Sequence, residues 1–304
     1  MRIFENTNIN FIRNRVKAYI FSGVLILISL GSLIVHGLEL GIDFKGGMEF
    51  VVETDQPLVT TEVRSVLTDV LGRAPEVKAF GDNALLIRTL AEGDINQRQN
   101  EIISGIQTAF AEANPRVVKT DIVGPRFAED LKRGAIYSVF GSLLVIFVYI
   151  LIRFEWRFGV GAVVALFHDV TITLGAFALL HGILPFSLQV DQTIIAAFLT
   201  IVGYSLNDTV VIFDRIREYT NLFKTESYEN VVNRSINNTL SRTIITSGTT
   251  LLVVVTLFIF GGEVLRGFAF ALIIGILIGT YSSIFVASPI VVELRARMPQ
   301  KRRR

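Results

Sequence analysis

Long apolar runs, each about the length of a bilayer-spanning helix, alternate along this chain with short polar turns. A helix rises 1.5 Å per residue, so crossing the ~30 Å hydrocarbon layer takes about 20 apolar residues. Six stretches reach that length: residues 19–37, 134–152, 158–181, 192–213, 243–261 and 267–292. An even number of crossings leaves both ends of the chain on one side. The first run follows Arg13, Arg15 and Lys17 as the apolar part of an export signal would, but residues 32–36 offer no small-x-small cleavage site. It is therefore expected to stay as the first span.

Residues 38–133 break this pattern with much higher polarity and shorter periods. Residues 48–53 read as a strand, and Val63, Val66, Leu67, Val70 and Leu71 then recur at helical spacing until Gly72. Two extended runs, 75–80 and 84–90, flank Gly81-Asp82-Asn83, whose residue types suit a hairpin turn. A second helix opens at Asp94 with Gln97 three residues on and carries Ile95, Ile102, Ile103, Ile106 and Phe110, and residues 116–122 close the segment as a fourth strand. The order β-α-β-β-α-β predicts a ferredoxin-like α+β domain with two helices on one face of the sheet. No nucleophile, base and orienting group stand at informative spacing, so the expectation is a binding or lever element and not an enzyme.

Composition sharpens the class. Of 304 residues only 18% are charged, too few to clothe a soluble globule of this size. The net charge of +2 conceals an uneven distribution. Lys and Arg gather beside the spans on the cytoplasmic side of membranes, and here they sit at Arg153 and Arg157, at Arg215, Arg217, Lys224 and Arg234, and in the tail. The turn 181–191 has neither, and the turn 261–267 has only Arg266. Residues 1–18, a loop at 214–241 with an amphipathic helix, and the basic tail 293–304 are thus expected in the cytoplasm, with 38–133 outside. Beside a span, the terminal basic run reads as an orientation signal and not as a nucleic-acid site. There is no cysteine, and the three histidines are too scattered to suggest a metal or other cofactor site.

Ionisable residues inside spans are costly and are functional candidates by default. Asn207 and Asp208 interrupt the fourth span, and Arg242 opens the fifth, which runs the opposite way. The two charges are expected to meet near the inner leaflet, either as a switch that loads and releases a proton or as a static ion pair fixing helix packing. His168-Asp169 in the third span is a relay or a hydrogen-bonded packing pair. Gly275 and Gly279 in the sixth span form a small-xxx-small arrangement expected to bring helices together within the chain. The run Gly41 to Gly47 lacks the Lys-Ser/Thr ending of a phosphate loop and reads as a glycine-permitted turn.

Three segments carry a family resemblance: Gly41-Ile42-Asp43-Phe44-Lys45-Gly46-Gly47, then Gly203-Tyr204-Ser205-Leu206-Asn207-Asp208-Thr209 with Asp214-Arg215 beyond it, and Asn238-Thr239-Leu240-Ser241-Arg242-Thr243. They resemble the signatures of the SecD/SecF family, and the second is specific to its SecF branch. The resemblance implies a bacterial inner-membrane protein of the resistance-nodulation-division superfamily, holding half of a twelve-helix arrangement, with both termini cytoplasmic and the large loop periplasmic. It implies SecD as partner, the SecYEG channel and SecA motor as neighbours, and a preprotein as substrate. The implied role is to use the proton motive force late in export, with Asp208 as the proton-responsive carboxylate and Arg242 as its partner.

Overall fold

A computed structural model describes residues 7–184 and 186–297, with the side chains of 263 and 264 left out of the description. Residues 298–304 of the expected basic tail lie outside the described residues. The chain forms two compact units: Glu39–Tyr137 with Leu180–Thr193, and a second unit that takes the remaining described residues.

In the first unit, a single helical turn α2 (Ile42–Lys45) leads into β1 (Gly47–Glu53), α3 (Thr60–Leu71), β2 (Glu76–Ala79), β3 (Ala84–Thr89), α4 (Ile95–Ala109) and β4 (Arg116–Val123), where α1 is the span Arg15–Val35 before it. The four strands lie in the order β2-β3-β1-β4 and every pair is antiparallel. Side chains alternate across a strand, so Met48, Phe50 and Val52 of β1, with Leu85 and Ile87 of β3, meet Val63 and Leu67 of α3 and Ile102 and Ile106 of α4 in one core. Local chemistry sets the helix ends. Gly72 stops α3 in the left-handed conformation at φ 70°. Asp94 caps α4 by accepting the amides of Asn96 and Gln97, while the Gln97 side chain turns forward to Glu101, so only half of a capping box forms.

The opposite face of the sheet is also covered, which leaves residues 47–52 of the central strand β1 buried throughout. There Arg88 donates to Glu49 at 2.6 Å, to Glu76 at 3.2 Å and to Gln189 at 3.0 Å. Gln189 belongs to the turn 181–191, whose Leu188 and Val190 are buried. Beside this cluster, Glu39 binds both Lys45 at 2.5 Å and Lys78 at 3.0 Å. Burial alone would raise the Glu39 carboxyl, but the hydrogen bonds from Lys45 and Lys78 outweigh it and hold the group at about 2, below its ordinary 4.5. Glu76 is lowered in the same way, with Lys78 the main partner that overcomes its burial.

The second unit is a helical bundle built from α1, α5 (Pro125–Arg153) from Ser138 on, nearly all of α6 (Trp156–Leu180), α7 (Gln192–Leu222) from Ile194 on, α8 (Tyr228–Phe260) and a sixth rod made of α9 (Gly262–Ser282), a π-helical stretch (Ser283–Ala287) and α10 (Ser288–Ala296). Six helices of the described chain are long and apolar enough to cross a membrane. The helices outrun the apolar windows at several ends. Helix α8 is continuous from Tyr228, because Ser227 caps it and no breaker follows before Phe260, so much of the loop expected at 214–241 is helical. In α1 the burial pattern is inverted relative to a soluble protein. In α1 the buried side chains are Ala18, Ser22, Ser29 and Ser32, while Leu27, Ile34 and Val35 face outward. Lipid tails are as apolar as leucine, so small and polar residues are the ones that favour helix-helix contact.

Gly275 and Gly279 bring α9 against α7 within the chain: a Cβ on Gly275 would press into the Ile201 side chain, and one on Gly279 would lie 2.9 Å from that of Ser205. Phe213 packs edge to face with both Phe154 and Phe158 at one end of the bundle, among Ile212, Ile216, Val232 and Val291. Helix α5 contributes little to this core, and Tyr137, Phe140, Leu144, Val145 and Ile152 are all exposed.

Two outcomes follow. Gly275→Ala should lower the thermal stability of the chain in detergent, by about 1–3 kcal/mol for overpacking, whereas Gly248→Ala, whose Cβ meets nothing within 4 Å, should cause no loss and a gain of up to about 1 kcal/mol from helix propensity. Because the folded-state value of Glu39 is depressed, its contribution is complete above 4.5 and fades as pH falls toward about 2. Glu39→Gln should therefore flatten the loss of stability over that window, as read from melting curves at a series of pH values.

Candidate functional site

Helix α7 presents Ser205, Asp208, Thr209 and Ile212 to the bundle interior, at the i, i+3, i+4, i+7 spacing of one helical face. Neighbours in sequence sit about 100° apart on a helix, so Asn207 is exposed and does not join Asp208. Gly203 is exposed as well, and the Tyr204 hydroxyl is buried with no partner among the described residues.

Asp208 is 5% exposed. Its Oδ2 accepts a hydrogen bond from Ser247 of α8 at 3.2 Å, and the Ser247 hydroxyl also lies 2.8 Å from that of Thr280 on α9. Among the described residues no ion pair joins Asp208 to Arg242, and Arg242 is exposed. The sequence expectation of a direct contact is not met in this conformation. The reason is register: Ser247 stands level with Asp208, and Arg242 is five residues earlier on α8, about 7.5 Å along the axis.

His168 and Asp169 of α6 are brought to the same helix face of α7. Asp169 Oδ2 accepts from Ser205 at 2.6 Å and from Ser282 at 2.8 Å, and its Oδ1 lies 2.9 Å from His168 Nδ1. His168 Nε2 is 3.0 Å from the Ser22 hydroxyl, which is 3.1 Å from that of Tyr281, which donates to the Ala18 carbonyl at 2.9 Å. The chain from Ala18 through Tyr281, Ser22 and His168 to Asp169 thus has four links. Tyr281 and Ser22 supply one proton each. All four links are filled only when His168 and Asp169 together hold two protons, as imidazolium with carboxylate or as neutral ring with carboxylic acid. Either arrangement leaves the pair without net charge, as a site out of water favours.

The sixth rod completes the cluster through a register change. Ser283 hydroxyl meets Thr209 at 2.8 Å and the Gly279 carbonyl at 2.9 Å, and the π-helical turn that begins there lets Ser288 bond back to the Ser283 carbonyl at 2.8 Å. Such single π turns are frequent at functional sites. At the far end of the α7 signature, Asp214 pairs with Arg153 of α5 at 2.8 Å, and Arg215 pairs with Glu218 at 2.9 Å.

In the sheet unit, the glycine-rich stretch is a turn built for close approach. Gly46 and Gly47 have φ of 72° and 126°, and a Cβ on Gly41 would lie 2.9 Å from that of Asp191. Asp43 accepts the Gln192 amide at 2.9 Å, and Phe44 is half-buried. Among the described residues no group of three or more His, Cys, Asp or Glu could hold a metal.

Sequence reasoning missed Ser22, Ser247, Thr280, Tyr281, Ser282 and Ser283. Their signal was present: Thr280-Tyr281-Ser282-Ser283 interrupts an apolar run, and hydroxyl side chains within a span mark its packed face.

Comparison with known proteins places this arrangement. Residues 104–297 match the family described as protein export membrane protein SecD/SecF, C-terminal, and residues 31–58 match the SecD/SecF GG motif. Proteins named protein translocase subunit SecF include one from Rhodothermus marinus, 72% identical over 100% of this chain and 98% of that protein, and one from Desulfurispirillum indicum, 47% identical over 95% and 92%. The crystal structure of SecDF from Thermus thermophilus, described as a translocon-associated membrane protein, superposes with a TM-score of 0.85 at 36% identity. That match covers 98% of this chain and 40% of the SecDF chain, so the chain spans less than half of that relative. With two family signatures and full-length relatives of one kind, the chain belongs to the SecF family of protein translocase subunits.

Proposed function

We propose that this SecF subunit works with a separate SecD chain in the bacterial inner membrane, where it uses the proton motive force to promote late preprotein movement and release on the periplasmic side. In this reading Asp208 is the proton-responsive group. The observation that carries it is an imbalance between the two buried acids: among the described residues Asp169 has three hydrogen-bond partners, one of them a histidine, whereas Asp208 has the single hydroxyl of Ser247. A carboxylate with one donor in a water-poor site is a poor resting place for charge. Arg242 is the cation it meets when α8 both shifts along and turns about its axis relative to α7, because the five residues between Arg242 and Ser247 amount to about 7.5 Å and about 140° of rotation. One charge crossing 100 mV supplies about 2.3 kcal/mol, enough to bias two conformations some tens of fold. His168 and Asp169 keep the helices around Ser205 in register, and Asn207 faces the lipid or the partner subunit.

The sheet unit reads as a periplasmic, ferredoxin-like domain, since its β-α-β-β-α-β order and its strand order are those of the split βαβ fold. The basic turns orient both termini to the cytoplasm. The exposed apolar side of α5 suits lipid or the six helices of SecD, which would complete a twelve-helix arrangement. SecYEG and SecA stand upstream in this reading.

A rival reading makes the chain a small-solute exporter of the same superfamily, and a second makes it a static scaffold. Asp208→Asn at normal abundance should remove nearly all of the gradient-dependent part of precursor export in membrane vesicles. Full retention would favour the scaffold, and drug hypersensitivity with normal precursor processing in a deletion strain would favour the exporter. A reporter fused after residue 304 should be active only as a cytoplasmic fusion, and activity in the periplasm would reverse the topology.

A further inference from the structure

The stretch that opens the sheet unit makes contacts of its own, apart from those around Asp208. Gln192 is the first residue of α7, and the first amides of a helix have no partner within it. A residue at the N-cap serves the second or third helical amide, so the first one needs an acceptor from elsewhere. Asp43 Oδ2 supplies it at 2.9 Å, across 149 residues of sequence. The backbone around it is locked to the same turn. Gly41 donates to the Val190 carbonyl at 2.8 Å, Val190 donates to the Glu39 carbonyl at 2.7 Å, and Leu40 pairs with Val190 in a parallel bridge. Gly41 has no room for a side chain, because its Cβ would lie 2.9 Å from that of Asp191. Buried Arg88, held by Glu49 of the central strand, grips Gln189 at 3.0 Å. The beginning of α7 is therefore part of the sheet unit, and the same rod carries Asp208 sixteen residues on, about 24 Å along its axis.

We propose that Asp43 and Gly41 form the joint through which movement of α7 is passed to the sheet domain, with Asp43 a positioning residue for gradient-driven export. This rests on the reading of Asp208 as the proton-responsive group. The joint acts as a closed strut: it holds through the cycle, so that a shift of the helix becomes a shift of the sheet instead of being absorbed in a loose turn. The acceptor oxygen of Asp43 matters here, and its charge does not.

The experiment uses the full chain with its SecD partner in membrane vesicles and measures precursor release with and without an imposed proton gradient. Asp43→Ala, at normal abundance, should lower the gradient-dependent part about fivefold, the scale set by one capping hydrogen bond, and leave the gradient-independent part unchanged. Asp43→Asn and Asp43→Ser keep an acceptor for the Gln192 amide and should restore most of the loss. The chain has no cysteine, so Leu40→Cys with Val190→Cys can be oxidised to lock the joint, and the locked protein should export as well as the reduced one. Full export by Asp43→Ala, equal loss in Asp43→Asn and Asp43→Ala, or a block on oxidation that reductant relieves would each overturn the inference. Asp208→Asn in the same assay separates the two ideas: if it loses gradient dependence while Asp43→Ala keeps it, only the joint fails, and if it keeps gradient dependence the reading of Asp208 fails.

Discussion

The bundle depends on the cost of carrying a carboxylate where there is little water to solvate it. Two acids, Asp169 and Asp208, lie buried among the helices, and the surrounding hydroxyls are arranged by that cost. Ser205, Ser282 and His168 surround Asp169, and together they tie α6, α7 and the sixth rod to one another. Among the described residues Ser247 alone hydrogen-bonds to Asp208. Close helix approach makes these short hydrogen bonds possible, which is why Gly279 lies opposite Ser205 and why the serine stripe of α1 faces inward. In lipid, leucine gains nothing by being inside, so the polar and small residues decide the packing.

Much of the fold was legible because two physical periods differ so plainly. Apolar runs of bilayer length gave the six long helices, and alternation with short helical stripes gave the strands and helices of the sheet unit. The signatures around Gly41 and Asp208 likewise pointed to the SecD/SecF family. The site was only partly legible. Asp208 and Asp169 stand out in sequence as charges inside spans, but their partners depend on inter-helix register, which a single helix pattern does not encode. A five-residue offset on α8 separates Ser247 from Arg242, and it decides which of them Asp208 meets. The π turn at Ser283 changes the register of the sixth rod by about one residue and had no signature in composition.

The glycine-rich stretch shows how a correct local reading can understate a role. Gly46 and Gly47 do make a backbone turn, as their residue type suggests. Yet Asp43 binds the first amide of a helix 149 positions away, and Gly41 is small because the chain around Asp191 presses on it. Only the three-dimensional arrangement relates the beginning of the sheet domain to the helix that bears the buried acid.

In the proposed cycle Asp208 changes its protonation state when a proton gradient is applied. Infrared difference spectra of the SecD-bound chain in oriented vesicles, recorded as the gradient is imposed, test this directly. The expected result is a carboxyl band that appears or disappears with the gradient and is missing from the Asp208→Asn protein. Identical difference spectra for the two proteins would contradict the claim.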